Sequence, residues 1–112
     1  MPAPIVYFEL AGPDAKALHA FYRGVFDWDV GADGSIPASS SGTVRGGMRQ
    51  DPPATLLYLG VPDIAATLEA VKAAGGSVML PRTVVPGIVT FALFRDPAGN
   101  VVGLAEQGSF TP

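Results

Sequence analysis

The sequence repeats one order of predicted elements, with an offset of about fifty residues. A strand-like run at 5–10 leads through a Pro-Asp pair ending at Asp14 into a helical pattern, and a run at 55–59 leads through a second pair ending at Asp63 into another. β-Branched and aromatic residues favour strands, and Asp is a preferred N-cap residue. Such self-similarity predicts two modules, at about 1–50 and about 54–112, within a single domain 1–112.

Both predicted helices carry an apolar stripe at helical spacing. The first is expected to follow Asp14 and to end near Phe26, and the second to run from Asp63 to about Ala74, where a Gly-Gly pair closes it. The stripe residues are Leu18, Phe21, Tyr22 and Val25 in the first helix, and Ile64, Leu68 and Val71 in the second.

Short strands are predicted in the stretches between and after the helices. Those of the first module lie around 28–30, 36–40 and 43–49, and a Pro-Pro connector that can neither continue a helix nor pair in a sheet follows at 51–53. Those of the second module lie near 77–80, 88–94 and 101–105, and the segment 81–86, with its two prolines, is a loop or a sheet edge.

Turn-forming residues separate the last two predicted strands. Pro97 sets φ for the start of a turn, and Gly99 and Asn100 both tolerate positive φ. Two apolar runs joined in this way predict an antiparallel β-hairpin.

The wording of this turn, aromatic-x-Asp-Pro-x-Gly-Asn-apolar-apolar, resembles the end of the vicinal oxygen chelate superfamily, which includes glyoxalase I, extradiol dioxygenases and bleomycin-resistance proteins. The resemblance extends to Phe21, Tyr22 and Phe26 and to the Val-Pro-Asp triplet at 61–63, and it covers nearly the whole chain. It implies an α+β fold in which two βαβββ modules form a curved mixed sheet around a cavity, with the helices on the outer face.

Metal-dependent members of that superfamily bind a divalent ion through His, Gln and Glu side chains on four strands. By the resemblance, the matching positions here are Tyr7, Gly46, Leu56 and Gly103. Gly46 is identified by analogy with the second module: Gly103 follows Gly99 by a fixed spacing, and the same spacing after Gly42 leads to Gly46.

None of the four residues suits a zinc, nickel or iron(II) site, which needs imidazole or carboxylate donors. The only histidine, His19, falls on the first helix, where we interpret it as a surface or boundary residue. We therefore predict that the protein holds no metal and no other cofactor.

The cavity that the resemblance implies would then bind a small molecule. Alternation along a strand brings residues i and i+2 to one face, so Tyr7 is expected to share a face with Glu9, and Gly46 with Met48. A mostly apolar pocket with a few polar groups is typical of small-molecule sites. The predicted ligand-binding residues are Tyr7, Glu9, Met48, Leu56, Tyr58, Val101, Gly103 and Ala105.

Glu9 is the candidate catalytic residue. A carboxylate on the inner face of a sheet is costly unless it is paired or hydrated. It is either a general base or anchor for a cationic ligand, or the partner of Arg45, Arg49 or Arg95 in a salt bridge, and we favour the salt bridge slightly. The tyrosines and the methionine of the predicted site have an ordinary alternative role as core-filling residues.

Composition excludes several classes of protein. The absence of cysteine excludes disulfides and thiolate chemistry, and a net charge of −3 without a basic cluster disfavours nucleic-acid binding. No apolar run reaches the length of a membrane span and no export leader is visible, so we expect a cytoplasmic protein without membrane contact. A hydrophobic content of 48 % against 15 % charged residues suggests a homodimer.

Three functional hypotheses follow. The first is a protein of the glyoxalase and bleomycin-resistance type that lacks the metal ligands and binds a small hydrophobic or aromatic, possibly cationic, molecule. The second is a metal-dependent lyase or dioxygenase whose ligands lie elsewhere in the sequence. The third is a dimeric interaction module with a vestigial cavity, which a cavity filled by its own side chains would favour.

Overall fold

A computed structural model describes residues 2–110, so the ends of the predicted 1–112 domain lie outside the described residues. These residues form β1 (Ile5–Gly12), α1 (Ala15–Phe26), β2 (Ser35–Ile36), α2 (Ala38–Ser41), β3 (Gly46–Gln50), β4 (Ala54–Val61), α3 (Ile64–Ala73), β5 (Ser77–Val85), β6 (Val89–Arg95) and β7 (Val101–Glu106). They divide into two compact units, of which one is Tyr7–Leu56 and the other the remaining described residues. No helix in the described part of the chain combines the length and the apolar character that crossing a membrane requires.

In the unit Tyr7–Leu56, β3 pairs with β1 on one side and with β2 on the other. β1 and β3 are parallel, and α1 supplies the crossover that a parallel pair requires. The carboxylate of Asp14 accepts the backbone N–H of Ala17 and caps α1, and Asp27, at φ 57°, ends it. The prediction of a first helix from Asp14 to Phe26 is confirmed.

The predicted strands at 28–30 and 36–40 are wrong. Only Ser35–Ile36 pairs with β3, and α2, a single helical turn, follows directly after Pro37. Proline disfavours strand pairing because it has no N–H, and the three serines that follow have hydroxyls that bond nearby backbone groups. The backbone at 28–30 is used otherwise, since the carbonyl of Val30 accepts the guanidinium of Arg23.

Apolar side chains fill the space between α1 and the strands of this unit. Tyr22 stacks on Trp28 with ring centroids 5.2 Å apart, and Phe8 meets Trp28 edge-on at 5.8 Å. The buried centre of this cluster is formed by Val30, Ile36 and Met48, with Leu10 and Leu18 packed against it.

In the other unit the strand order is β4-β7-β6-β5, with β4 parallel to β7 and the other pairs antiparallel. The hairpin of β6 and β7 is confirmed: the carboxylate of Asp96 accepts the backbone N–H groups of Ala98 and Asn100, and Gly99 takes φ 92°. The segment 81–86 was predicted to be either a loop or a sheet edge. It lies at the sheet edge, because β5 extends through Pro81 to Val85.

The second helix covers one face of this sheet. Asp63 caps α3 through the N–H of Ala66, and Gly75 follows its end at φ 97°, as predicted. The buried core contains Val61, Ile64, Leu68, Ala92 and Leu104. Each unit therefore joins a sheet to a helix on one face, which is the α+β class expected from the sequence, with α2 replacing one strand of the first module.

Candidate functional site

Tyr7 lies over Gly47 on the face of the first sheet that is opposite the α1 side. A β-carbon built at Gly47 would stand 2.1 Å from the Tyr7 hydroxyl, which is far inside contact distance. Since β1 and β3 are parallel with Glu9 opposite Gly47, this face also carries Glu9 and Arg49.

The expectation that Gly46 and Met48 share the face of Tyr7 is wrong. The ring of Phe8 covers Gly46, with a built β-carbon 2.3 Å from it, and Met48 is 5 % exposed in the core between α1 and the sheet. Residues one position later, Gly47 and Arg49, occupy the expected face instead.

This error of one residue comes from the connection that leads into β3. Gly42 and Gly99 do correspond, since both have positive φ. However, Tyr58 pairs with Gly103 in one unit and Glu9 pairs with Gly47 in the other. The β3 residue equivalent to Gly103 therefore lies five residues after Gly42, whereas Gly103 lies four residues after Gly99.

Glu9 forms an ion pair with Arg49, which confirms the salt-bridge interpretation. The Glu9 side chain is only 18 % exposed, and pairing offsets the cost of burying its charge. Arg49 also contacts Asp51 at 3.0 Å between Nε and Oδ2, so it bridges two carboxylates.

The predicted site residues of the second module lie on the sheet face opposite α3. The ring of Tyr58 covers Gly103, where a built β-carbon would be 2.3 Å from it, and both residues are buried. Val101 and Ala105 alternate with Gly103 along β7. Leu56 lies two positions before Tyr58 on β4 and is buried. It is the last residue of the unit Tyr7–Leu56. Whether these side chains bind a ligand stays a prediction.

A cleft of about 480 Å³ opens within the unit Tyr7–Leu56. Its lining combines a phenol, a guanidinium, a carboxylate and a hydroxyl with glycine and apolar surface. The lining residues are Tyr7, Asp29, Gly31, Ser35, Ile36, Pro37, Arg45 and Gly46.

Sequence analysis anticipated Tyr7 as a ligand-binding residue and Gly46 as a position at the cavity, but assigned no such role to the rest of this lining. Most of it comes from 29–37, the stretch where two strands were wrongly predicted. A high content of glycine and proline is the only signal there, and it indicates loops without showing which side chains converge.

Electrostatics keeps the Tyr7 hydroxyl in its protonated form. Burial of the half-buried ring raises its pKa, and this exceeds the opposing effect of the guanidinium groups of Arg45 and Arg49. The carboxylate of Asp33 adds to the increase. The hydroxyl therefore keeps its proton at neutral pH.

The wall of the cleft formed by 31–35 is a tight loop. The carboxylate of Asp33 accepts the backbone N–H of Ser35 at 3.0 Å, and hydrogen bonds from Ser35 hold the pKa of that carboxyl below its usual value. Gly34, at φ 87°, approaches the Met48 carbonyl so closely that a β-carbon there would stand 2.2 Å from the oxygen.

His19 lies behind this loop and is only 8 % exposed, so its interpretation as a surface or boundary residue is wrong. Its Nε2 has no hydrogen-bond partner within the described part of the chain, and it points toward Gly34, where a built β-carbon would stand 3.4 Å away. Its place on α1 turned toward Met48 and the loop explains the burial, which helical periodicity alone does not show.

Residues 2–110 contain no group of three or more His, Asp or Glu side chains that could hold a metal ion. The correction from Gly46 to Gly47 replaces one glycine by another, so it adds no donor to the four positions taken from the resemblance. The absence of a metal stays a prediction.

Comparison with known proteins places this geometry in a family. The family model of a glyoxalase-like domain matches residues 7–105. Two curated relatives, the anthracycline biosynthesis proteins DnrV of Streptomyces peucetius and DauV of Streptomyces sp. (strain C5), are 27 % and 26 % identical over 132 aligned residues. Each match covers 96 % of this chain and 48 % of the relative, so the chain spans about half the length of these relatives.

Solved structures share the fold. A variant of Streptomyces coelicolor methylmalonyl-CoA epimerase in complex with 2-nitronate-propionyl-CoA matches with a TM-score of 0.65 at 14 % identity, covering 100 % of both chains. The epimerase from Mycobacterium tuberculosis matches with a TM-score of 0.62 at 13 % identity, covering 96 % of this chain and 88 % of that one. The family-model match, together with the shared fold, confirms the predicted membership of the vicinal oxygen chelate superfamily. At these identities, the likeness to the solved structures concerns the fold alone.

Proposed function

Because this chain belongs to the glyoxalase-like domain family, we propose that it binds a small, partly aromatic molecule in the cleft beside Tyr7, without the help of a metal ion. The observation that carries the proposal is the cleft itself. Its volume of about 480 Å³ falls within the range of roughly 300–1,000 Å³ typical of ligand pockets. A few polar groups converge there on a floor of glycine and apolar residues, which is the usual composition of such sites.

The relatives support an aromatic ligand. DnrV and DauV are both described as anthracycline biosynthesis proteins, and anthracyclines are planar polycyclic molecules that carry several oxygen atoms. The chain spans about half of each relative. We therefore include a role in such a pathway only as part of this proposal. The protonated hydroxyl of Tyr7 offers one donor for an oxygen of such a ligand.

Equilibrium dialysis against a dihydroxyanthraquinone tests the proposal, since the bound fraction follows from the visible absorbance of the ligand. We expect saturable binding that a chelator leaves unchanged. The variant Tyr7→Phe removes one hydrogen bond, which is worth about 0.5–1.5 kcal/mol, so affinity is expected to fall roughly threefold to tenfold.

Tyr22→Phe is the matched control, because it removes a hydroxyl from a tyrosine that packs with the core on the α1 side. We expect it to leave the affinity unchanged. Tyr58→Phe separately tests the predicted role of the second unit. Absence of saturable binding to any polycyclic aromatic probe would contradict the proposal.

We also propose that the protein forms a homodimer through the outer face of α1. Three apolar side chains of α1 are largely exposed: Phe21 at 53 %, Val25 at 60 % and Phe26 at 55 %. The centroids of the two phenylalanine rings lie 6.1 Å apart. Exposed apolar patches of this kind are typical of association sites. The relatives, about twice as long, have room for a second domain of this size in one chain.

Sedimentation analysis of Val25→Lys and of a control, Lys16→Glu on the same helix, tests this second proposal. We expect the wild type and the control to sediment as dimers and Val25→Lys as a monomer. A monomeric wild type at high concentration would refute it.

A further inference from the structure

Tyr7 on β1 and Arg45, the residue before β3, present hydrogen-bond donors to the cleft. Tyr7 contributes a hydroxyl whose proton is retained at neutral pH, and Arg45 contributes a guanidinium, which has five N–H donors and no acceptor. A ligand atom that meets both must be an acceptor, and an anionic oxygen is the strongest partner for a guanidinium.

None of the ion pairs found among residues 2–110 involves Arg45. The neighbouring Arg49 is already shared by Glu9 and Asp51. Arg45 is exposed at the cleft, so a ligand can approach it without breaking one of these ion pairs. The two neighbouring arginines therefore differ in function: Arg49 in β3 stabilises the sheet, and Arg45 just before β3 faces the cleft.

Two acidic residues lie near the cleft, and they differ in how far they balance the positive charge of Arg45. The carboxylate of Asp33 is bonded to Ser35 within its own loop. Asp29 lines the cleft and balances the charge of Arg45, so the lining has no net charge and does not attract anions from a distance. Selection then depends on short-range hydrogen bonds, in which Arg45 and Tyr7 act together.

Resting on the function proposed above, we propose that Arg45, with Tyr7, selects aromatic ligands that carry a carboxylate or another anionic oxygen. This replaces the cationic ligand that the sequence left open. The anionic oxygen would accept from the guanidinium and from the phenol, while the ring would lie against the apolar side of the cleft at Pro37. Asp29 would remain outside this contact.

Three probes with the same ring test the inference in the full chain: naphthoate, naphthylmethylamine and the neutral naphthylmethanol. Their affinities are measured by calorimetry for the wild type, Arg45→Met, Asp29→Asn and the control Arg95→Met. Arg45→Met keeps an unbranched apolar stem but removes the guanidinium and with it every donor. The circular dichroism spectrum checks that each variant is folded.

We expect the wild type to bind naphthoate more tightly than the amine. A hydrogen bond to a charged group is worth about 1.5–3 kcal/mol, so Arg45→Met is expected to weaken naphthoate binding by a factor of roughly 10–150. The same variant should leave naphthylmethanol nearly unchanged, and Asp29→Asn and Arg95→Met should preserve the preference for naphthoate.

The two proposals fail in different ways. If the amine binds more tightly and Asp29→Asn abolishes that preference, the cleft selects cations and the inference is overturned, although the proposed function stands. An unchanged ratio of naphthoate to amine affinity in Arg45→Met also overturns the inference alone. If the wild type binds the dihydroxyanthraquinone but none of the three probes, the inference fails and the proposed function stands. If it binds neither the dihydroxyanthraquinone nor the three probes, both proposals fail.

Discussion

Several strand glycines in this protein lie directly under aromatic side chains. The Tyr58 ring occupies the space above Gly103 just as the Tyr7 hydroxyl occupies the space above Gly47. A methyl group at either position has no room. Tyrosine side chains of the protein therefore use much of the room that the two missing side chains leave.

The substitution Gly103→Ala is therefore expected to destabilise the protein by about 1–3 kcal/mol, the usual cost of overpacking. Gly24→Ala is the matched control, because Gly24 lies in α1 with nothing within 4 Å of a built β-carbon. It is expected to stabilise by up to about 1 kcal/mol, since alanine is the better helix former. Urea denaturation measures both, and equal effects of the two changes would contradict this account.

Glu106 provides a pH-dependent contribution to stability. Its carboxylate accepts two hydrogen bonds from Arg82 and one from the backbone N–H of Ile64 at the start of α3. The bonds from Arg82, first, and then the bond from Ile64 lower the pKa of Glu106 from 4.5 to about 2.

A carboxyl with a lowered pKa in the folded state stabilises that state above its unfolded pKa, and the contribution disappears as the pH falls through the folded pKa. We expect Glu106→Gln to reduce stability at neutral pH and to flatten the decline between pH 4.5 and about pH 2. Thermal unfolding across that range measures it. A decline as steep as that of the wild type would show that other carboxyls, such as Asp96, dominate.

At the scale of elements, both long helices begin in the same way. Asp14 and Asp63 each accept the N–H three residues later and cap α1 and α3. Losing such a cap costs about 0.5–2 kcal/mol. We expect Asp14→Ala and Asp63→Ala to lower stability by similar amounts and Asp14→Ser and Asp63→Ser by much less, as measured by denaturant unfolding. A serine variant as unstable as its alanine counterpart would contradict a capping role.

Elements with strong local signals could be predicted from the sequence. Both caps, both helix ends and the closing hairpin depend on Asp, Gly and Pro at fixed offsets, and these were confirmed. The stretch around Pro37 could not be predicted, because its serines carry no alternation and its short strand and single helical turn depend on contacts with β3 and with the backbone N–H of Asp29.

The candidate site was predicted only in part for a related reason. Alternation along each strand gave the partners of Tyr7 and Tyr58 within their own strands, but the alignment of β3 with β1 depends on the length of the connection before Gly46. One extra residue there turned Met48 into the core and Arg49 onto the other face. The cleft beside Arg45 depends on three separate segments, whose convergence no local pattern shows.

At the scale of the whole molecule, the superfamily fold is kept while the four positions that the resemblance matches to metal ligands hold neither an imidazole nor a carboxylate. Tyr58 fills the space in which a side chain at position 103 would stand, and Tyr7 does so at position 47. We therefore expect no stoichiometric zinc, nickel or iron after purification without chelator, and no rise of the melting temperature with added zinc, nickel or manganese.

A metal bound at a hundred times its dissociation constant would add about 2.7 kcal/mol, which a thermal shift detects easily. A measured metal with a clear shift would mean that donors outside the four positions bind it. In that case a lyase or dioxygenase assay would be the next measurement.

The pairing pattern also sets an order of assembly. β6 and β7 meet across a short turn, whereas β1 and β3 join residues about forty positions apart. Because contacts between distant residues require closure of a longer loop, the hairpin is expected to form first and the parallel pairs later. Weakening the turn with Asp96→Ala should mainly slow refolding, whereas Leu10→Ala on β1 should mainly speed unfolding. In stopped-flow experiments, the cleft beside Tyr7 would then be among the last features of the molecule to appear.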